Sequence, residues 1–143
     1  MRTKQENIEI KIIKNWPKEE IVNLYKAGGW WKKNYDPSQI EFLIKGSYIF
    51  VVAVNTSTNK AVGMGRILSD GISDAYIQDL VVLKESRGKG IGKKIANYLI
   101  NHCKKNGINW IGLISEPKQD GFYLSIGFSE MANYKPMKYQ NED

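Results

Sequence analysis

The chain has 143 residues, 42% hydrophobic and 25% charged, a balance that suits one soluble globular domain spanning 1–143 with a real core. No apolar run reaches the ~20 residues of a membrane helix, MRTKQENIEI lacks a leader's apolar core, and the one cysteine, Cys103, excludes an internal disulfide and suits a reducing cytoplasm. Lys and Arg outnumber Asp and Glu by 21 to 15, a net charge of +6; nucleic acid, a membrane surface or an anionic small ligand would each fit that sign.

Ile8, Ile10 and Ile12 alternate with the period of a half-buried strand. Pro17 then precedes Ile21, Leu24 and Tyr25 at helical spacing, stopped by Gly28 and Gly29. Asp36-Pro37-Ser38-Gln39 resembles a capping box opening a helix through Ile40, Leu43 and Ile44. Three strands are expected over 48–54, 61–68 and 75–83, separated by turn chemistry at 55–60 and at Ser69-Asp70-Gly71. Ile91, Ile95, Tyr98 and Leu99 mark an amphipathic helix ending near Asn106-Gly107, and a buried strand is expected over 108–114. A brief helix over 120–126 should stop at Gly127, and 128–139 should hold one or two closing strands. The order β-α-α-β-β-β-α-β-α-β describes an α/β (α+β) domain around one mixed sheet. Its meander over 48–83 should be antiparallel, and the strands on either side of the amphipathic helix should be parallel.

The stretch ESRGKGIGKKIANYLI (85–100) places Arg87, Lys89, Lys93 and Lys94 where the expected helix begins. Helix N-termini carry partial positive charge and unpaired N–H groups, so cations there are unfavourable unless a polyanion occupies the site. In Arg87-Gly88-Lys89-Gly90-Ile91-Gly92 the absent Cβ atoms let backbone amides converge on such an anion. The spacing G-x-G-x-G is neither the dinucleotide fingerprint nor the Walker pattern, since Gly92-Lys93 is followed by Lys94. A solvated basic helix start is the bland alternative, disfavoured because each glycine weakens the helix.

DLVVLKESRGKGIGKKIANYLI resembles the central motif of the GNAT superfamily of N-acetyltransferases, Arg/Gln-x-x-Gly-x-Gly/Ala after a strand. Arg87, Gly90 and Gly92 take its fixed positions. GFYLSIGF (121–128) is similar to the family's second motif, a Tyr shortly before a Gly-Phe pair. With the element order, the resemblance spans nearly the whole chain. It implies a GNAT-like three-layer domain with acetyl-CoA as co-substrate, its pyrophosphate on the amides of Arg87, Gly88, Lys89, Gly90, Ile91 and Gly92, with Lys93 beside them. Its pantetheine arm would pair with the backbone at Leu80 and Val82, flanking Val81, where the strand splays from its parallel neighbour near Ile114.

Strand alternation sets Tyr76, Gln78, Leu80 and Val82 on one face and Asp79 and Val81 on the other. Along that face Tyr76 and Gln78 lie nearest the acceptor, although Tyr76 would equally fill a core. Tyr123 matches the position that protonates the departing thiolate; a hinge aromatic beside Phe122 and Phe128 is the alternative. Proton transfer from a phenol of pKa near 10 to a thiolate near 8.5 is uphill by roughly 2 kcal/mol, and freeing an amine of its proton at pH 7 costs roughly 4–5 kcal/mol. Asp70, Asp74 and Asp79 are the carboxylates at hand, none of them assigned as base. Trp30 and Trp31 fall where the family shapes its acceptor pocket, or else they pack the core.

The expected function is acetyl transfer to a primary amine of a small molecule by direct attack in a ternary complex. A protein lysine or N-terminus is the alternative acceptor, and a non-catalytic acyl-CoA sensor the alternative class. Nucleic acid is disfavoured, because the aromatics do not interleave with the lysines. No membrane partner is expected, and a homodimer is common in the family. His102 and Cys103, adjacent on a helix, do not face each other as a nucleophile pair; Cys103 is expected buried, His102 in solvent, and one His with one Cys gives no metal constellation.

Overall fold

A computed structural model describes residues 7–141, so the leader reading of the N-terminus lies largely outside the described residues. The elements run β1 (Ile8–Ile12), α1 (Lys18–Ala27), α2 (Ile40–Gly46), β2 (Ile49–Asn55), β3 (Lys60–Ser69), β4 (Asp74–Val82), α3 (Ile91–Lys105), β5 (Trp110–Gly112) and α4 (Asp120–Ser125). The chain divides into two compact units, Met1–Gly112 and Leu113–Asp143.

In the first unit the five strands lie side by side in chain order. β1 to β4 are antiparallel and β4 pairs with β5 in parallel, as the expected meander and crossover require. Ile21 and Leu24 of α1 and Ile40 and Ile44 of α2 pack on one face with Phe50, Val52, Met64 and Val81. Helix α3 covers the other. Its buried Ile91, Ile95, Ala96, Leu99 and Cys103 form one stripe at helical spacing. Gly63 and Gly65 of β3 let α3 come close: a Cβ at Gly65 would lie 2.9 Å from Ile95 Cγ2 and 3.1 Å from Leu99 Cδ1.

Local chemistry ends the elements where the residues call for it. The Gly28 N–H donates to Leu24 O, and Gly29 turns the chain at φ +78°. The Asp36 carboxylate accepts from Ser38 N at 2.9 Å and opens a 3-10 turn, Pro37–Gln39, leading into α2. This cap holds the Asp36 carboxyl below its ordinary pKa. Cys103 is fully buried as expected, and burial pushes its thiol up. His102 is half-buried rather than solvated, edge-on to the Tyr48 ring at 5.8 Å.

Two strand expectations change. β5 covers Trp110–Gly112 rather than 108–114, because β4 runs alongside it only at Asp74, Ala75 and Tyr76. In the second unit α4 is present and the chain turns at Gly127, φ +106°. The closing strands over 128–139 are absent among the described residues. There Asn133 adopts φ +69° in a turn closed from Tyr134 N to Met131 O, Pro136 offers no ladder N–H, and Met137 and Tyr139 stay exposed. Extended backbone without a ladder is not a strand. Among the described residues no helix is long and apolar enough to cross a membrane.

Candidate active site

Strand β4 departs from simple alternation. Gln78 pairs with Arg66 but Val81 pairs with Met64, so Asp79 and Leu80 together oppose the single residue Gly65. This is a β-bulge, and Asp79 sits in it at φ +58°. The extra residue reverses the side-chain sequence beyond it. Tyr76 and Gln78 pair with Leu68 and Arg66 on the α1 side; Asp79 and Val81 join them there, Asp79 by bonding to Tyr25 of α1 and Val81 by packing in the α1–α2 core. Leu80 and Val82 face α3, since both would meet a Cβ built on the glycines that admit that helix. The expectation that Tyr76, Gln78, Leu80 and Val82 share a face, with Asp79 opposite, is therefore corrected.

The bulge lies three residues beyond the point where β4 loses its parallel neighbour. Pairing with β5 stops at Tyr76 opposite Gly112, while β4 runs on to Val82. That splay matches expectation and leaves backbone groups on this edge without a β5 partner. One is engaged: the Val82 carbonyl accepts from Arg87 Nε at 3.0 Å, and Arg87 NH2 reaches Ala27 O, at the end of α1, at 3.4 Å. Tyr76 is not core filler. It is 46% exposed and its ring lies 5.3 Å from that of Trp110.

After β4, Lys84–Ser86 makes a 3-10 turn, and the Arg87 N–H donates back to Lys84 O at 3.3 Å. The Arg87 amide is therefore engaged within its own turn. Gly88 and Gly90 are both left-handed, φ +79°, with nothing within 4 Å of where a Cβ would stand. Gly90 is the N-cap of α3 and supplies no capping side chain, and the first turn holds no acidic residue. The first intrahelical bond runs from Lys94 N to Gly90 O at 3.1 Å. The amides of Ile91, Gly92 and Lys93 thus have no acceptor within the helix. Amides and dipole face the loop, and Lys93 and Lys94 stand exposed in the first turn of α3.

The comparisons decide what this geometry belongs to. Residues 18–139 match the family model described as an acetyltransferase (GNAT) domain. The chain is 30% identical over 128 residues to the uncharacterized N-acetyltransferase ycf52 of Porphyra purpurea, covering 86% of this chain and 74% of that protein. It is 29% identical over 110 residues to the chloroplastic GCN5-related N-acetyltransferase 1 of Arabidopsis thaliana, covering 77% of this chain and 55% of that one. Its fold superposes with a TM-score of 0.79 on the GNAT family acetyltransferase SP0256 of Streptococcus pneumoniae, at 26% identity over 96% of this chain and 100% of that one. The chain belongs to the GNAT superfamily of N-acetyltransferases. It is an N-acetyltransferase whose co-substrate is acetyl-CoA.

The residues of this acetyltransferase fit that co-substrate. Two left-handed glycines open a basic helix start suited to a pyrophosphate, and the freed β4 edge suits an amide-bearing arm. In the second unit Tyr123 lies on α4, half-buried, with its ring 5.0 Å from Phe122 and 5.8 Å from Phe128. Burial, and then the Glu116 carboxylate, raise its phenol above the ordinary value, so it is protonated at neutral pH. Among the carboxylates, Asp70 accepts from the N–H groups of Ser73 and Ile72 and from Ser73 Oγ, which hold it low and within its own turn. Asp74 opens β4 and is exposed.

Sequence reasoning missed a polar trio. Asp79 Oδ2 accepts from Tyr25 Oη at 2.7 Å and from Arg66 Nε at 2.6 Å. Burial, and after it the Asp79 carboxylate, drive the Tyr25 phenol far above its usual pKa, against the weaker pull of Arg66. The one sequence signal was Arg66, a cation in the middle of the apolar run of β3. Trp30 and Trp31 pack partly buried on the α1–α2 core, with ring centroids 6.2 and 6.4 Å from that of Tyr25. An open groove of about 380 Å³ beside Lys18, Val22, Lys26 and Ser38 touches none of these residues.

Proposed function

We propose that residues 1–143 form one acetyltransferase domain that moves an acetyl group from acetyl-CoA to a primary amine of a small molecule, by direct attack with both substrates bound. The carrying observation is the pair of left-handed glycines, Gly88 and Gly90, opening α3 without a cap beside the unpaired edge of β4. In this reading the amides of 88–93 and the ammonium of Lys89 hold the pyrophosphate, and the backbone at Leu80, Val81 and Val82 holds the pantetheine arm. Arg87 acts as the tether between that edge and α1.

When bound, acetyl-CoA supplies an activated thioester and a thiolate leaving group. The chain's own part is to orient and to hold protons. Gln78, exposed on the α1 side of β4, and Tyr76 address the amine. Holding the two reactants in line replaces covalent catalysis and can lower the barrier by several kcal/mol. Tyr123, proposed from its motif, hydrogen-bonds the leaving sulfur. Its raised pKa keeps the proton available but makes complete transfer more uphill than for an ordinary phenol. The acetyltransferase is proposed to work in a reducing cytoplasm, where its lone buried cysteine stays a thiol, with no nucleic-acid or membrane partner. Light scattering tests the homodimer that the family resemblance implies.

Calorimetric titration of acetyl-CoA tests this reading, with Gly90→Glu as control because it sets a carboxylate into the loop. Binding by the wild type that the variant loses is expected, followed by turnover of small amines that Tyr123→Phe slows. A folded wild type without acetyl-CoA affinity would overturn the proposed site. Acetyl-CoA binding with turnover of protein lysines alone would overturn the small-molecule acceptor.

A further inference from the structure

We infer that Tyr25, Arg66 and Asp79 form a positioning node that holds the β4 bulge and, through the Tyr25 ring, sets the Trp30–Trp31 segment. Asp79 keeps φ +58° without being glycine, a conformation that costs about 1–2 kcal/mol and persists where surroundings over-determine it. The surroundings here are two donors on one oxygen, Tyr25 Oη and Arg66 Nε. Arg66 is braced in turn: NH1 reaches Ser47 Oγ at 3.4 Å, and Ser47 Oγ donates to Leu43 O at 2.7 Å. The chain of contacts runs from α2 through β3 and the β4 bulge to α1. It sits under the helices, with the Arg66 and Asp79 side chains 15% and 19% exposed.

An apolar trio of like size would avoid the desolvation of the ion pair but not the strain of φ +58°, which Asp tolerates better than an apolar residue. The fold accepts both costs at one place, on the stretch of β4 beyond its pairing with β5. Tyr25 then carries the bulge's position outward, since its ring contacts Trp30 edge-on and Trp31 at a tilt, and Trp31 meets Tyr35 edge-on at 5.4 Å. Moving Asp79 therefore moves the aromatic segment. The kinetic part of this inference rests on the proposed amine site and on the alternative, open in the sequence, that Trp30 and Trp31 wall its acceptor pocket while packing partly buried on the α1–α2 core. The node itself acts through other groups and touches no substrate.

Three variants separate charge, side chain and backbone. Asp79→Gly keeps the left-handed backbone and deletes the carboxylate. Asp79→Asn keeps an oxygen acceptor and tolerates φ > 0 but removes the charge. Tyr25→Phe deletes one hydroxyl and leaves the ring in the core, so it folds even where an Asp79 variant does not. The readout is the indole N–H resonances of Trp16, Trp30, Trp31 and Trp110, assigned by single Trp→Phe changes, together with acetyl-CoA calorimetry and turnover of tryptamine as probe amine.

Asp79→Gly and Tyr25→Phe are expected to shift Trp30 and Trp31 while Trp16, bonded to Glu20 at the start of α1, stays in place. Tyr25→Phe, which leaves the backbone at 80–82 in place, should keep acetyl-CoA affinity unchanged, and in both variants kcat/KM for tryptamine should fall about tenfold or more, with Asp79→Asn between. Unmoved Trp30 and Trp31 resonances in both variants would overturn the node; this readout needs no acceptor. Moved resonances with unchanged amine kinetics would uphold the node and overturn the acceptor reading of Trp30 and Trp31.

Discussion

At Gly90 a single φ of +79° does the work of a cap. The space around its Cβ position is open, so an alanine there meets no clash and only conformational strain. Gly90→Ala should cost about 1–2 kcal/mol in urea unfolding and weaken acetyl-CoA less than Gly90→Glu, whose charge opposes the pyrophosphate. Tyr25 gives a second residue-scale test. Its folded-state pKa lies above that of the unfolded chain, so the native state keeps the proton longer. That contribution is complete below pH ~10 and is lost as pH rises beyond it. Tyr25→Phe should flatten the decline of stability measured between pH 9 and 11 relative to wild type (a range set by the tyrosine reference near ~10). These two residues read differently from the sequence. Gly90 stood out because glycine at a basic helix start has few uses. Tyr25 looked like one more core aromatic, because nothing local announces a hydroxyl bonded 54 positions away.

Among the elements, α3 and β3 show how close packing follows from two missing side chains. Gly63 and Gly65 alternate on β3 beneath Ile95 and Leu99, and the helix rests on backbone rather than on side chains. Gly65→Ala should push α3 outward at a cost of about 1–3 kcal/mol by chemical denaturation. Acetyl-CoA affinity should fall with it, since α3 carries the loop. The β4 bulge belongs to the same scale. Alternation predicted its faces correctly up to Gln78 and wrongly from Asp79 on, because a bulge is a property of two paired strands. Only the register of β3 against β4 shows that one residue is extra.

For the molecule as a whole, the net charge of +6 and the basic start of α3 predict electrostatically assisted binding of an anionic co-substrate. Acetyl-CoA at one hundred times its Kd should stabilise the fold by about 2.7 kcal/mol, read as a rise in Tm. Its affinity should fall as salt is raised through the screening range. Gly90→Glu should abolish the rise, while Gly90→Ala, which shares its backbone strain, should lower the ligand-free Tm similarly but keep part of the rise.

The sequence by itself determined the element order through β5, the antiparallel meander with its parallel partner, the helix caps at Asp36 and Gly28, and the loop at Gly88 and Gly90. Each depends on neighbours within a few positions: hydrophobic period, turn residues, or glycine against charge. Tertiary structure alone decided the face that Asp79 takes, its pairing with Tyr25 and Arg66, the Arg87 tether to Val82 and Ala27, and the missing strands of 128–139. These depend on which distant backbone lies alongside. A bulge needs a partner strand to be extra against, a buried ion pair needs two elements to close over it, and a strand forms only when a ladder is there to receive its hydrogen bonds.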